Sequence, residues 1–117
     1  MIVKMFKPQF ALKVESGEKK QTVRPKPIRV PKVGQHISLR EWTGKPYASK
    51  QRVLRESHIT RVAHCEITET GVILNSYAEP MDDFARADGF ADFFEMRDWF
   101  KANHGALPFE GIAIFWK

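Results

Sequence analysis

The sequence predicts an α+β domain: a small mixed β-barrel with helices packed at its ends. Three observations carry that expectation. Apolar and polar residues alternate in His36–Trp42 and, imperfectly, from Val53 to Thr68, the period of half-buried strands. After Pro80 the apolar spacing changes to that of amphipathic helices. The connections between alternating segments are short enough for antiparallel neighbours in a small barrel. A chain of 117 residues makes one domain over 1–117, large enough to fold without disulfides or a structural metal.

The elements follow in order. Ile2–Phe6 is a short apolar segment with β-branched residues and reads as a first strand. Pro8 suits the first turn of a helix whose apolar positions Phe10, Leu12 and Val14 lead to Gly17, a C-cap. Lys20–Arg24 reads as a strand, stopped by Pro25, Pro27 and Pro31, each of which removes a ladder donor and stiffens the loop over 25–34. In His36–Trp42, Ile37 and Leu39 alternate with Ser38 and Arg40, a half-buried strand. The loop TGKPYASKQ follows. From Val53 to Thr68 the alternation is long, but Ile59, Val62, Cys65 and Ile67 do not keep one parity, which predicts a bulge near Thr60–His64. Val72–Leu74 is another strand. Helices are expected over Pro80–Ala87 and Ala91–Asn103. Phe90, Phe93, Phe94, Trp99 and Phe100 give the buried stripe, completed by Met96 or Arg97, and Gly105 ends the second helix. Phe109–Trp116 closes the domain as a final strand, giving the order β-α-β-β-β-β-(α-α)-β.

Composition narrows the function classes. Apolar residues at 43% and charged residues at 28% match globular domains and exclude a disordered or fibrous chain. The lone cysteine, Cys65, excludes an internal disulfide framework, fits a reducing compartment and reads as a small core residue. The start MIVKMFKPQF is interrupted by Lys4 and Lys7 and does not read as a secretory signal. No run approaches the ~20 apolar residues of a membrane span. The expectation is a cytoplasmic protein without a membrane partner. Its charge is unevenly divided: residues 1–64 hold 15 Lys and Arg against 4 Asp and Glu, whereas residues 65–117 hold 4 against 10. Such asymmetry points to a face for polyanions, because clustered cations release counterions from a nucleic-acid backbone. If the halves interleave in space, their charges offset instead.

The densest chemistry lies in Ser16–Arg24, where Lys19, Lys20, Thr22 and Arg24 follow a helix end at Gly17. In a strict strand Lys20, Thr22 and Arg24 share one face, with Lys19 in the preceding turn. They can line an anion or nucleotide pocket in which Arg24 offers a forked donor and neighbouring cations lower the Lys19 pKa. A neutral lysine beside Thr22 would then activate its hydroxyl. A solvated basic strand edge, with lysines blocking sheet-to-sheet pairing, explains the same string.

The string Gly17-x-Lys19-x-x-Thr22-x-Arg24 resembles the signature of the ASCH domain, a small β-barrel of the PUA-like superfamily. The resemblance extends to Pro31-x-Val33-Gly34, to Trp42-Thr43-Gly44-Lys45-Pro46-Tyr47, to Asp88-Gly89-Phe90 and to the closing strand ending at Trp116, and so covers nearly the whole chain. It implies a fold associated with RNA, a basic pocket for RNA or a modified nucleoside, and no cofactor. One branch of the family hydrolyses the acetyl amide of N4-acetylcytidine, and another member has been reported to be a ribonuclease. In the amidohydrolase branch a lysine and a threonine three apart share a pocket with a glutamate from the later helical region. The matching positions are Lys19 and Thr22, with Asp88, one methylene shorter, in the acidic place. Lys19 would take the Thr22 proton, Thr22 would attack the amide carbonyl, and Asp88 would hold the ammonium. Arg24 or a backbone N–H would stabilise the oxyanion.

Two further groups stand out. In the loop region Trp42 and Tyr47 are interleaved with Lys45, Lys50 and Arg52, flat rings for bases and cations for phosphates. A large aromatic such as Trp42 more commonly completes a core face, and Tyr47 can equally pin the loop. Asp82, Asp83 and Asp88 with Glu79 are paired carboxylates that can share a proton or bind a cation; Asp82 and Asp83 after Pro80 better fit helix N-terminal caps. His36, His58, His64 and His104 have no metal-ligand spacing with Cys65, so no metal is expected. Adjacent His64 and Cys65 would point to opposite faces of a strand.

Overall fold

The computed structural model describes all residues from Met1 to Lys117. Its elements are β1 (Ile2–Met5), α1 (Pro8–Ser16), β2 (Gln21–Pro25), β3 (His36–Trp42), β4 (Gln51–Ile67), β5 (Val72–Leu74), β6 (Tyr77–Glu79), α2 (Met81–Ala87), α3 (Phe93–His104) and β7 (Phe109–Trp116). The expected order holds, with one addition. Asn75 and Ser76, both at positive φ, make a two-residue turn that pairs Leu74 with Tyr77 and creates β6. Two positive-φ residues suit a hairpin turn, but without a glycine the sequence carries little sign of it. No helix is long and apolar enough to cross a membrane.

Seven strands form one mixed sheet. β1 runs parallel to β3, and every other pairing is antiparallel. The long β4 organises the rest. Its first half pairs with β3, its second half with β7, and its last residues also with β5. Two register shifts bend it: Leu54 is the extra residue opposite Leu39/Arg40, and Thr60 the extra residue opposite Trp116/Phe115. The second lies at the start of the interval where parity fails in the sequence. An extra residue bends its strand and raises the local twist, which lets β4 turn from one group of strands to the other.

The sheet is open. No ladder joins β1 to β2, so strand pairing does not close a barrel. Between these strands the Arg24 guanidinium donates from Nη2 to the Met5 carbonyl at 2.7 Å. β7 comes close to β2 because residue 111 is glycine: a Cβ there would lie 2.2 Å from the Arg24 carbonyl oxygen.

The core runs between the sheet and the helices. Ile37, Leu39, Ile59, Cys65, Ile67 and Ile114 from the strands meet Val14, Phe93, Met96 and Phe100 from the helices. Each fully buried side chain of this size contributes roughly 1.5–3 kcal/mol. Cys65 is a core residue, as expected, and burial pushes its thiol up to about 12. The aromatic stripe is corrected at one place. Phe94 is 55% exposed, with the Arg97 guanidinium 5.1 Å from its ring centre. The buried face of α3 runs instead through Phe93, Met96 and Phe100, which recur at helical spacing.

Candidate functional site

Three backbone devices assemble a hollow beside β2. Gly17, at φ +85°, ends α1 with its N–H on the Val14 carbonyl. The chain then doubles back, with the Lys19 N–H donating to the Lys13 carbonyl at 2.9 Å and the Lys20 N–H to the Ala87 carbonyl at 2.8 Å. That last bond ties the entry of β2 to the end of α2, whose C-cap is Asp88. Next comes Gly89 at φ +96°, where a Cβ would lie 3.1 Å from Lys19 Cδ and 3.3 Å from Phe10 Cδ1. Glycine is required there both for the backbone conformation and for the closeness of Lys19.

Lys19 and Asp88 meet inside. Each is only 3% exposed. The ammonium donates a short hydrogen bond to the Asp88 backbone carbonyl and lies 3.5 Å from carboxylate Oδ1. Asp88 therefore reaches Lys19 despite its short side chain. The rings of Phe6 and Phe10 stand 5.7 and 5.0 Å from the ammonium. Burial pushes Lys19 down to about 8; the Asp88 charge opposes that fall and Arg24 adds to it. Burial likewise pushes Asp88 up to about 6 against the pull of Lys19, Gln21 and Arg24. The Gln21 side chain favours the ionised carboxylate, yet its Nε2 reaches no acceptor, and Asp88 Oδ1 receives no hydrogen bond.

Thr22 and Arg24 form the other wall. Arg24 Nε donates to Thr22 Oγ1 at 2.9 Å, its Nη2 holds Met5, and its guanidinium carbon lies 5.0 Å from the Phe6 ring centre. No hydrogen bond joins Lys19 Nζ to Thr22 Oγ1; the hydroxyl oxygen accepts from Arg24 instead. A cavity of about 300 Å³ opens over this wall, lined by Phe6, Thr22, Arg24, Asp88, Trp99 and His104 among others. Burial and the Lys7 charge hold His104 below its ordinary pKa.

Lys20 stands apart from Thr22 and Arg24. It is exposed and borders a separate depression with Lys13, Glu18, Asp83 and Arg86, because β2 begins one residue later, at Gln21. Asp82 and Asp83 lie in the first turn of α2, the helix N-terminal place expected of them, but their hydrogen bonds go elsewhere. No side chain caps α2; Asp82 accepts from the Phe93 N–H at the start of α3, and Asp83 pairs with Arg86.

The second group lies on a well-bonded loop. Thr43 N–H and Oγ1 both donate to the Lys50 carbonyl, and Ser49 Oγ bridges the Gly44 N–H and the Lys45 carbonyl. Lys45 and Lys50 are exposed, and Tyr47 is 91% exposed at φ +62°. Trp42 is half-buried outside the main core, its ring 5.1 Å from that of Tyr47. Arg52 is already committed, bridging Glu41 at 2.6 Å and Glu15 at 2.9 Å.

Sequence reasoning missed Trp99, Asn103 and His104 as cavity residues. They recur at i, i+4 and i+5 along the last turns of α3, a helical stripe that continues the core face. It also missed a cluster across β4 and β7, where the ligand atoms of His64, Glu66 and Glu110 lie within 4.8 Å of one another. The available signal was His64-x-Glu66, two residues on one face of a strand. No protein-family model, curated protein or solved structure matches this chain.

Proposed function

We propose that this chain is an ASCH-like domain of the PUA-like type that binds RNA or a modified nucleoside, with the base seated in the cavity above Thr22, Arg24 and Asp88. The single observation that carries the reading is the donor and acceptor pattern of that cavity. Asp88 Oδ1 is a buried acceptor without a hydrogen bond, Arg24 Nη1 makes none within the protein, and Phe6, Phe10 and Trp99 supply flat apolar walls. A heteroaromatic ring with a carbonyl meets Arg24 Nη1 and stacks between rings, the way single-stranded bases are recognised. An amino group beside that carbonyl pairs with Asp88 once a small side-chain shift uncovers Oδ1. The volume of about 300 Å³ suits one base or nucleoside.

Charge supports a polyanion beyond the pocket. Only the Lys19–Asp88 pair joins a Lys or Arg of residues 1–64 to a carboxylate of residues 65–117; the other Lys and Arg pairs stay within one half. The two halves therefore do not neutralise each other pair by pair. The sheet is open where a barrel is expected; one side-chain bond, from Arg24 on β2 to the Met5 carbonyl, crosses the unpaired gap.

A hydrolase is the second reading, favoured by the depressed pKa of Lys19. Amide cleavage requires the Thr22 proton to reach a neutral Lys19 amine. Arg24 occupies only a lone pair of Oγ1, and because no direct hydrogen bond joins the two groups, a side-chain shift or a relaying water must carry it. Calorimetric titration with cytidine, N4-acetylcytidine and a short single-stranded RNA, each at two salt concentrations, tests both. Binding is expected for the nucleosides with little salt dependence and for RNA with a steep one. Arg24→Ala should weaken nucleoside binding about tenfold or more, the cost of a charge-assisted hydrogen bond. Nucleoside affinity equal in wild type and Arg24→Ala contradicts the pocket; release of acetate from N4-acetylcytidine, lost in Lys19→Met, establishes the hydrolase.

A further inference from the structure

We propose that His64, Glu66 and Glu110 form a binding site for a divalent transition metal, with Zn2+ as the ion it suits best. The site lies on the β4–β7 ladder and is independent of the pocket beside β2. In that ladder Glu66 stands directly opposite Glu110. Two carboxylates facing each other across a ladder destabilise it unless a cation lies between them. Neither has a Lys or Arg partner: Glu110 takes a hydrogen bond at 2.8 Å from His64 Nε2, and Glu66 has no ion pair at all. Glu69 pairs with Lys101, Asp83 with Arg86 and Asp98 with Arg97; Glu79, Asp82, Asp92 and Glu95 lack such a partner too, but none of them faces a second carboxylate across a ladder.

The imidazole decides the class of ion. One ring nitrogen and two carboxylate oxygens form a borderline donor set, which favours Zn2+ and its first-row neighbours over Mg2+ or Ca2+. The ligand atoms already lie within 4.8 Å of one another. Bonds of about 2.0–2.2 Å then need only side-chain rotation. The frame beneath is held firmly. His64 N–H donates to Asn75 Oδ1 at 2.9 Å, and the Asn75 N–H donates back to the His64 carbonyl at 2.9 Å. Ion entry replaces the His64–Glu110 hydrogen bond with two bonds to metal, and solvent completes a fourth position because all three residues border it.

Titrating the full chain with ZnCl2 by calorimetry, and with CoCl2 by visible absorption, tests the site. One ion per chain is expected, with a rise in melting temperature on adding Zn2+. His64→Ala and Glu110→Gln should each weaken Zn2+ at least about tenfold, as losing a supporting ligand does at other metal sites. Metal-free Glu66→Gln and Glu110→Gln should melt no lower than wild type, since each removes a like-charge contact, while both lose the Zn2+-dependent rise. That combination separates ligation from damage to the fold. The double variant His36→Ala/His58→Ala, altering the imidazole pair on β3 and the other half of β4, should bind Zn2+ like wild type. Unchanged Zn2+ affinity in His64→Ala and Glu110→Gln, or no saturation by millimolar Zn2+, overturns the proposal.

Discussion

At Lys19 and Arg24 the cations are drawn out of water, whereas in the loop Thr43–Arg52 they stay in it. Lys19 is buried against Asp88 and two phenylalanine rings, and Arg24 is spent on Thr22 and the Met5 carbonyl. Lys45 and Lys50 stand free in solvent beside Tyr47, and Arg52 is tied to two surface carboxylates. Desolvating an ion costs several kcal/mol, so a buried pair is retained where it is held by exact partners or serves a ligand. Surface cations cost little and gain long-range attraction for phosphates. Under the proposed function, the first region would serve recognition at short range and the second capture at long range.

The contrast is broken most sharply by Asp88→Ala. Leaving the Lys19 ammonium buried and unpaired should cost about 3–5 kcal/mol in urea unfolding. The double variant Lys19→Met/Asp88→Leu should recover that loss, or exceed wild type by about 1–4 kcal/mol, while nucleoside binding stays abolished. A double variant that binds like wild type would detach the pair from the pocket. Next in size is Gly89→Ala, which forces a side chain onto a positive φ and against Lys19 and Phe10; a loss of roughly 1–3 kcal/mol is expected. Gly44→Ala in the loop, where the nearest atom would be Ser49 Cβ at 3.4 Å, should stay within about 0.5 kcal/mol.

Titration gives a smaller effect with an unusual sign. Asp88 is raised to about 6, so the folded chain binds its proton more tightly than the unfolded chain, and this group's contribution grows as pH falls from 6 towards 4. Lys19 is lowered to about 8, so its contribution grows as pH rises from 8 towards 10.5. The pair is at its least favourable between about 6 and 8. Measured against the Lys19→Met/Asp88→Leu double variant, wild type should gain on the order of 1–2 kcal/mol between pH 7 and 4.5. A loss over that interval would mean the pair is stabilising, contrary to its burial. Smallest is the change at the loop. Replacing Lys45 and Lys50 by Gln should leave nucleoside binding and melting unchanged and lower the salt slope of RNA binding by about 0.7 for each phosphate contact removed.

Most of the fold was legible because it rests on local periodicity and punctuation. Pro8, Gly17, Gly105 and the alternation in His36–Trp42 each act within a few residues of themselves. Depth was less legible. Lys19, Lys20 and Arg24 are of one kind as a string, and only the bond from Lys20 N–H to Ala87 places one lysine inside beneath Asp88 and leaves its neighbour outside. Trp42 has the composition of a core residue, yet it lies at the end of β3, beyond the main packed layer. Phe94 fell one position off the helical stripe, where neighbouring aromatics obscure which residue defines the face. The His64, Glu66 and Glu110 cluster was hidden for a further reason: its third member comes from β7 and depends on the register set by the bulge at Thr60.

Nuclear magnetic resonance mapping of a cytidine titration tests the pocket most directly, since it reports where the ligand sits as well as whether it binds. Shifts are expected at the Thr22 amide, the Arg24 side-chain Nε–H, the Trp99 indole and the His104 ring, with Trp42 and Tyr47 unmoved. Shifts confined to Trp42 and Tyr47, or a spectrum that does not change up to saturating nucleoside, would contradict it.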